Sequence, residues 1–258
     1  MGVLLGITGG IGSGKTSLSR FLGELVQNHV VYETNAPIIE IANRFNQLLE
    51  AELNFDTTNN EEELVNQVLI WMPDIITEHL HFDTTWNHLA ICPKDRRTHP
   101  ELYEKLFTYV SLVRKKPKLV EQTITSQNKS DYRPLLQWLG GYFVAKLSPA
   151  IWYDELFRRI GIHDSHRDLV IITGLRYPND AAILRTHSGK VIAVERPGVT
   201  ADSTDITEVM RSKIVPDITV TNDSSPEQLQ KTAEMLWNDI AAGKPHKMYK
   251  ALDTAGNV

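Results

Sequence analysis

The stretch Gly9-Gly10-Ile11-Gly12-Ser13-Gly14-Lys15-Thr16 constrains this chain more than any other. It has the spacing Gly-x-x-x-x-Gly-Lys-Thr, it follows an apolar run at residues 3–8, and it precedes Leu18, Phe21, Leu22 and Leu25 at helical spacing. That order predicts a strand, a glycine-rich turn and a helix. Glycines let successive backbone N–H groups turn inward without side-chain collision, so such a loop can wrap phosphate oxygens, and the helix behind it adds its positive N-terminal end. Lys15 supplies a mobile cation for β- and γ-phosphates, and the Thr16 hydroxyl is a ligand for Mg2+. Gly10, Gly12, Ser13, Gly14, Lys15, Thr16 and Ser17 are accordingly the candidate residues for binding a nucleoside triphosphate, with ATP as co-substrate.

The rest of the chain alternates short β-rich runs with helical patterns. Strands are predicted at residues 30–33, 169–173, 191–194 and 218–221, making five with the first. Thr34 or Asn35 would cap a helix that Pro37 opens. Further helices are predicted over 133–147, over 149–160 behind a Ser148 cap with Pro149 in the first turn, over 179–186, and from Ser224-Ser225-Pro226 through Ile240. Alternation of this kind argues a parallel sheet with ligands at the carboxyl ends of its strands. Between residues 53 and 130 no run reads as a buried strand; Leu64, Val68, Trp71 and Ile75 have helical spacing, and Pro93, Pro100 and Pro117 interrupt it. The expected organisation is a core first half at 1–52, a mostly helical insertion at 53–130 serving as acceptor-binding or lid region, acceptor-site helices and the second half of the core at 131–242, and a flexible tail at 243–258.

Composition narrows the classes. With 27 basic against 32 acidic side chains the net charge is −5, which excludes a basic nucleic-acid coat, and no stable nucleic-acid binding is expected. Hydrophobic residues at 41% of 258 supply one sizeable core. Cys92 is the only cysteine, so no intrachain disulfide forms and a reducing compartment is the natural setting. No signal peptide or membrane span is visible, so a cytoplasmic protein without membrane attachment is expected. His79-x-His81 lacks the further ligands a zinc site needs.

Later motifs carry a resemblance. Arg133-Pro134-Leu135-Leu136-Gln137-Trp138-Leu139-Gly140-Gly141, Trp152, Gly174-Leu175-Arg176-Tyr177-Pro178-Asn179-Asp180, Glu195-Arg196-Pro197-Gly198, Asp205-Ile206-Thr207-Glu208 and Thr221-Asn222-Asp223-Ser224 together resemble phage-type deoxynucleoside monophosphate kinases. The likeness covers the first 45 residues and roughly 131–240. It implies an α/β fold of the P-loop kinase type, a three-layer sandwich with a five-stranded parallel sheet and a mostly helical insertion, working in a host cytoplasm if phage-encoded. It implies deoxynucleotide biosynthesis by transfer of the γ-phosphoryl of ATP, with Mg2+, to a nucleoside monophosphate. Arg133 would hold the acceptor phosphate, Gln137 its base or sugar, and Gly140-Gly141 would let backbone approach the ligand; positions 133 and 137 share one helix face. Trp152 would wall the base or be a core tryptophan. Arg176 would bridge donor and acceptor phosphates, making Lys15, Arg133 and Arg176 the catalytic set. Asp180 would hold the sugar or order Arg176, and Glu33 would polarise the acceptor or orient a magnesium water. Arg196 and the 222–225 turn would grip the donor adenine.

The chain departs from that pattern at three places. The family has an acid where Thr16 stands, an Asp where Gly174 stands, and a lysine where Ile39 stands; Arg96, Arg97 or Arg114 would replace the lysine's phosphate contact. Two other readings keep the loop. The spelling of the P-loop is similar to that of dephospho-coenzyme A kinases, and a kinase acting on a DNA-base hydroxyl has the same fold. A nucleotide-binding regulatory module would use the loop without any acceptor. The sequence permits a homodimer.

Overall fold

Runs rich in Val, Ile and Leu, too short for a helix and closed by polar or glycine turns, satisfy their backbone by pairing with one another. In the computed structural model, which describes residues 2–55, 60–67, 70, 100–125, 127–146, 150–198 and 206–250, they form one all-parallel sheet. Its strands are β1 (Val3–Gly9), β2 (His29–Glu33), β3 (Leu169–Thr173), β4 (Lys190–Glu195), β5 (Ile218–Thr221) and β6 (Met248–Lys250), in the order β2-β3-β1-β4-β5-β6. The helices are α1 (Lys15–Glu24), α2 (Ala36–Phe55), α3 (Pro100–Lys115), α4 (Arg133–Lys146), α5 (Ile151–His163), α6 (Pro178–Thr186), α7 (Ile206–Arg211) and α8 (Pro226–Ala241). The chain divides into two compact units, Met1–Thr34 with Leu156–Val258 and, separately, Asn35–Glu155.

The first unit contains the whole sheet. Leu5 and Ile7 of β1 are fully buried with Leu18 and Leu22 of α1 and Leu229 and Leu236 of α8, so these two helices cover one face. Each such side chain contributes roughly 1.5–3 kcal/mol. On the other face Gly6 admits α6: a Cβ there would stand 2.5 Å from Leu184 Cδ2 and 2.9 Å from Leu175 Cδ2. Ser225 caps α8 by accepting from Gln228 N, with Pro226 in the first turn, as its sequence predicts.

The five predicted strands are present, but the sheet has six, and the expected tail from residue 243 is corrected by β6. Tyr249 makes the difference. It is buried, it stands opposite Val220 of β5, its hydroxyl donates to Asp239 Oδ2 at 2.9 Å and accepts from His246 N at 2.8 Å, and burial with Asp239 pushes its pKa up to about 12. A three-residue strand resting on one aromatic anchor leaves no periodic signal in the sequence. Residues 251–258 lie outside the described residues.

The second unit contains helices and turns but no strand among its described residues. Residues 61–67 are helical, and Pro100, read as an interruption, instead opens α3, where its missing N–H costs no intrahelical bond. The core is aromatic: Phe45 packs 5.6 Å from Trp138, and Phe143 4.9 Å from Trp152, between ring centroids. Asn43 clasps the Ile124 main chain with its side-chain amide, Nδ2 donating to Ile124 O at 3.2 Å and Oδ1 accepting from Ile124 N at 2.7 Å. Val68, Trp71, Ile75, His79, His81, Cys92, Pro93, Lys94, Asp95, Arg96, Arg97, Ser148 and Pro149 lie outside the described residues. No described helix is long and apolar enough to cross a membrane.

Candidate functional site

Because every strand of the sheet runs the same way, the turns that leave β1, β3, β4 and β5 emerge along one edge. Register fixes their neighbours. Gly9 at the end of β1 stands opposite Val194 of β4, and Ile7 opposite Thr173 of β3. The segment 9–14, the turn 174–177, Arg196 and Asn222 therefore share the first unit's carboxyl edge.

The loop after β1 needs its glycines for its backbone path. Gly9, Gly12 and Gly14 have φ of +150°, +78° and +102°, values that residues with a Cβ rarely adopt. Gly14 is the N-cap of α1, offering no side chain to occupy the first-turn amides, and that turn contains no acid. Those amides and the helix dipole are left to an outside anion. Asn222, from the end of β5, braces the loop: its Nδ2 donates to Ser13 O at 2.8 Å, and its backbone N donates to Glu195 O at 2.7 Å. The Ser13 hydroxyl is buried without a hydrogen-bond partner in the described structure. Thr16 and Arg196 are exposed, Ser17 half-buried.

Lys15 is folded back over the loop, donating to Gly9 O at 2.7 Å and Gly10 O at 2.6 Å. Burial first, then the Arg211 guanidinium, lowers the pKa of its ammonium; Glu208 pulls the other way, and Arg176 lowers it again. Three charged groups thus act on Lys15. Sequence reasoning singled out Lys15 and Arg176 and missed Arg211. The available signal was the spacing Glu208-x-x-Arg211, which puts both on one face of a helical turn.

Arg176 is exposed, and its backbone is anchored by Asp180, which accepts from Arg176 N at 2.8 Å and Tyr177 N at 2.9 Å. Asp180 is itself buried and forms the capping box that opens α6. Of its two expected roles, these bonds favour ordering Arg176. Gly174, where the resembling family has an acid, has φ +90°, and a Cβ there would stand 3.2 Å from Thr34 Oγ1, a close contact in a strained conformation. Glu33 closes β2 opposite Thr173.

The remaining expected acceptor residues belong to the second unit. Arg133 and Gln137 are exposed on α4, Gly140 and Gly141 are half-buried, and a Cβ at Gly140 would make ordinary contact with Ile38 Cδ1 at 3.5 Å. Trp152 sits in the apolar core with its Nε1 donating to Gly140 O at 3.1 Å. Ile39 also packs against that core, which accounts for the absence of a lysine there. Arg114 stands in the last turn of α3. Among the described residues no three His, Cys, Asp or Glu side chains group to hold a metal. No protein-family model matches the chain, and no curated protein matches it.

Proposed function

We propose that this protein transfers the γ-phosphoryl group of ATP to a (deoxy)nucleoside 5′-monophosphate, yielding two diphosphates. The observation that carries the reading is the loop 9–15: three left-handed glycines, an uncapped helix start and a lysine held on the loop's own carbonyls, with Arg176 and Arg211 close enough to perturb it. A lysine on a glycine-rich loop that opens a helix, with arginines within electrostatic range, suits a phosphate-bearing ligand. An oxygen of the acceptor phosphate attacks the γ-phosphorus. The bond from that phosphorus to the β,γ-bridging oxygen breaks, and ADP leaves carrying the charge.

The acceptor is already anionic, so positioning and charge stabilisation suffice without a strong base. Lys15 exchanges its carbonyl partners for donor oxygens, and Arg176 holds the oxygens of the group in transit. Thr16 would hold Mg2+ together with donor phosphate oxygens, an arrangement that suits an ion that keeps most of its water and needs few protein ligands, and the ion would neutralise charge on the transferring group. Arg133 and Gln137, exposed on α4 at one-turn spacing, are proposed to hold the acceptor's phosphate and its base or sugar.

The test is a panel of deoxy- and ribonucleoside monophosphates, 5-substituted pyrimidines included, incubated with ATP and Mg2+ and scored for diphosphate. At least one monophosphate is expected to be converted while the phosphate-free nucleosides are not. ATP binding without any diphosphate product would replace this reading by the regulatory one.

A further inference from the structure

The outer strands of a sheet carry a row of N–H and C=O groups that pairs with another chain unless something blunts it. Here the outer strands are β2 and β6. β6 is three residues long, and Lys247 and Lys250 stand exposed at its ends, the kind of charge that protects an edge. β2 is five residues long, His29-Val30-Val31-Tyr32-Glu33, with neither lysine nor proline.

Register shows which groups that edge presents. Leu169 N donates to Asn28 O at 3.4 Å, and Thr34 N donates to Thr173 O at 3.0 Å. With His29 opposite Leu169 and Glu33 opposite Thr173, the even-numbered residues from Asn28 to Thr34 bond to β3. The main-chain groups of His29, Val31 and Glu33 therefore point away from β3, and no described strand lies beyond them. Val31, at the centre, is 40% exposed, and Leu25, the C-cap of α1 just before this strand, is 38% exposed.

The strand is complementary to itself. In an antiparallel pair about a two-fold axis through Val31, Val31 meets its own copy, Val30 meets Tyr32, and His29 meets Glu33. No other axis pairs the full strand, and on this one every outward-pointing residue faces another. The acid stands opposite a histidine instead of a second acid, so no like charges oppose.

We propose that two copies of this chain join through β2, antiparallel about Val31, into one continuous sheet. The axis runs through the sheet, so the two α1 helices lie on the same side of the joint, where Leu25 adds apolar surface to a ladder too small to hold a dimer alone. The interface stands apart from the glycine loop and does not depend on what that loop binds.

The experiment is sedimentation of the full chain from about 1 to about 100 μM, beside oxidation of Val31→Cys in a Cys92→Ser background. The wild type is expected to move from 29.2 kDa to twice that mass. Val31→Lys, which gives β2 the charge that β6 carries, is expected to stay monomeric throughout with its melting temperature held. Across a hydrogen-bonded antiparallel pair the Cα atoms lie about 5.5 Å apart, within reach of a disulfide. Val31→Cys should accordingly form a linked dimer on mild oxidation without any loss of fold, and Val30→Cys should not, because its partner is Tyr32.

A wild type that stays at 29.2 kDa, or whose mass climbs past two copies, overturns the inference. So does a dimer that survives Val31→Lys, a dimer abolished by Met248→Lys on the opposite edge, or equal crosslinking at positions 30 and 31.

Discussion

The two units organise their polar side chains in opposite ways. In the sheet-bearing unit, the hydrogen bonds at the candidate site fix main chain: Lys15 lies on the carbonyls of Gly9 and Gly10, Asp180 holds the Arg176 backbone and Asn222 the loop, while the side chains of Thr16, Arg176 and Arg196 are exposed. In the helical unit, the interior polar bonds serve packing, as Asn43 with Ile124 and Trp152 with Gly140 do, while Arg133 and Gln137 lie exposed on α4. A site assembled from main chain exists before its ligand arrives. One built from exposed side chains is completed by the ligand. The proposed donor half should accordingly behave as preorganised, and the proposed acceptor half as adaptable.

The sharpest way to break this contrast is Lys15→Ala. Diphosphate formation should fall by roughly 10²–10³-fold, the size of losing a main electrostatic contact to the transferring group. The melting temperature should hold, because burial already disfavours the Lys15 charge in the folded chain. Full activity would remove Lys15 from the mechanism. Next is Gly14→Ala, which places a Cβ against Asn222 Nδ2 at a φ of +102°. It should destabilise by about 1–3 kcal/mol and weaken ATP binding together, by calorimetry and titration.

How much of this was legible depended on where the signal lies. Strands β1 to β5 announce themselves as dense apolar runs, and the phosphate loop by glycines whose spacing is a backbone requirement, so both could be read directly. β6 could not, because Tyr249 alone anchors it. Arg211 escaped because the spacing Glu208-x-x-Arg211 looks like any i,i+3 ion pair on a helical turn, and nothing in the sequence ties it to Lys15. Trp152 was ambiguous for a general reason: an aromatic residue beside a ligand motif looks the same in sequence whether its ring faces base or core.

Two substitutions in the helical unit sharpen the comparison from the other side. Trp152→Phe should lower stability by about 1–2 kcal/mol, through the lost bond to Gly140 and lost packing, with the acceptor KM unchanged. Gln137→Ala should do the reverse, changing stability by no more than about 0.5 kcal/mol while raising the acceptor KM several-fold. A Trp152 variant that loses acceptor affinity at unchanged melting temperature would put its ring against the base.

The smallest effect is in the alkaline pH dependence. The Lys15 pKa is lowered from 10.5 in the folded chain, so the unfolded chain binds the proton more tightly. As pH rises through the folded value toward 10.5, the folded state is relieved of a penalty and its stability contribution increases. Over the same window ATP affinity falls, since the neutral amine no longer attracts phosphate. Opposite slopes in melting and titration experiments would be the signature; parallel slopes would assign the titration to another group.

Transfer rather than mere occupancy is the central claim, and a single-turnover experiment with radiolabelled γ-phosphate on ATP, stoichiometric protein and a deoxynucleoside monophosphate from the panel tests it most directly. The label is expected in the terminal phosphate of the new nucleoside diphosphate, with little free phosphate formed. Label released only as inorganic phosphate, at a rate indifferent to every monophosphate, would contradict it.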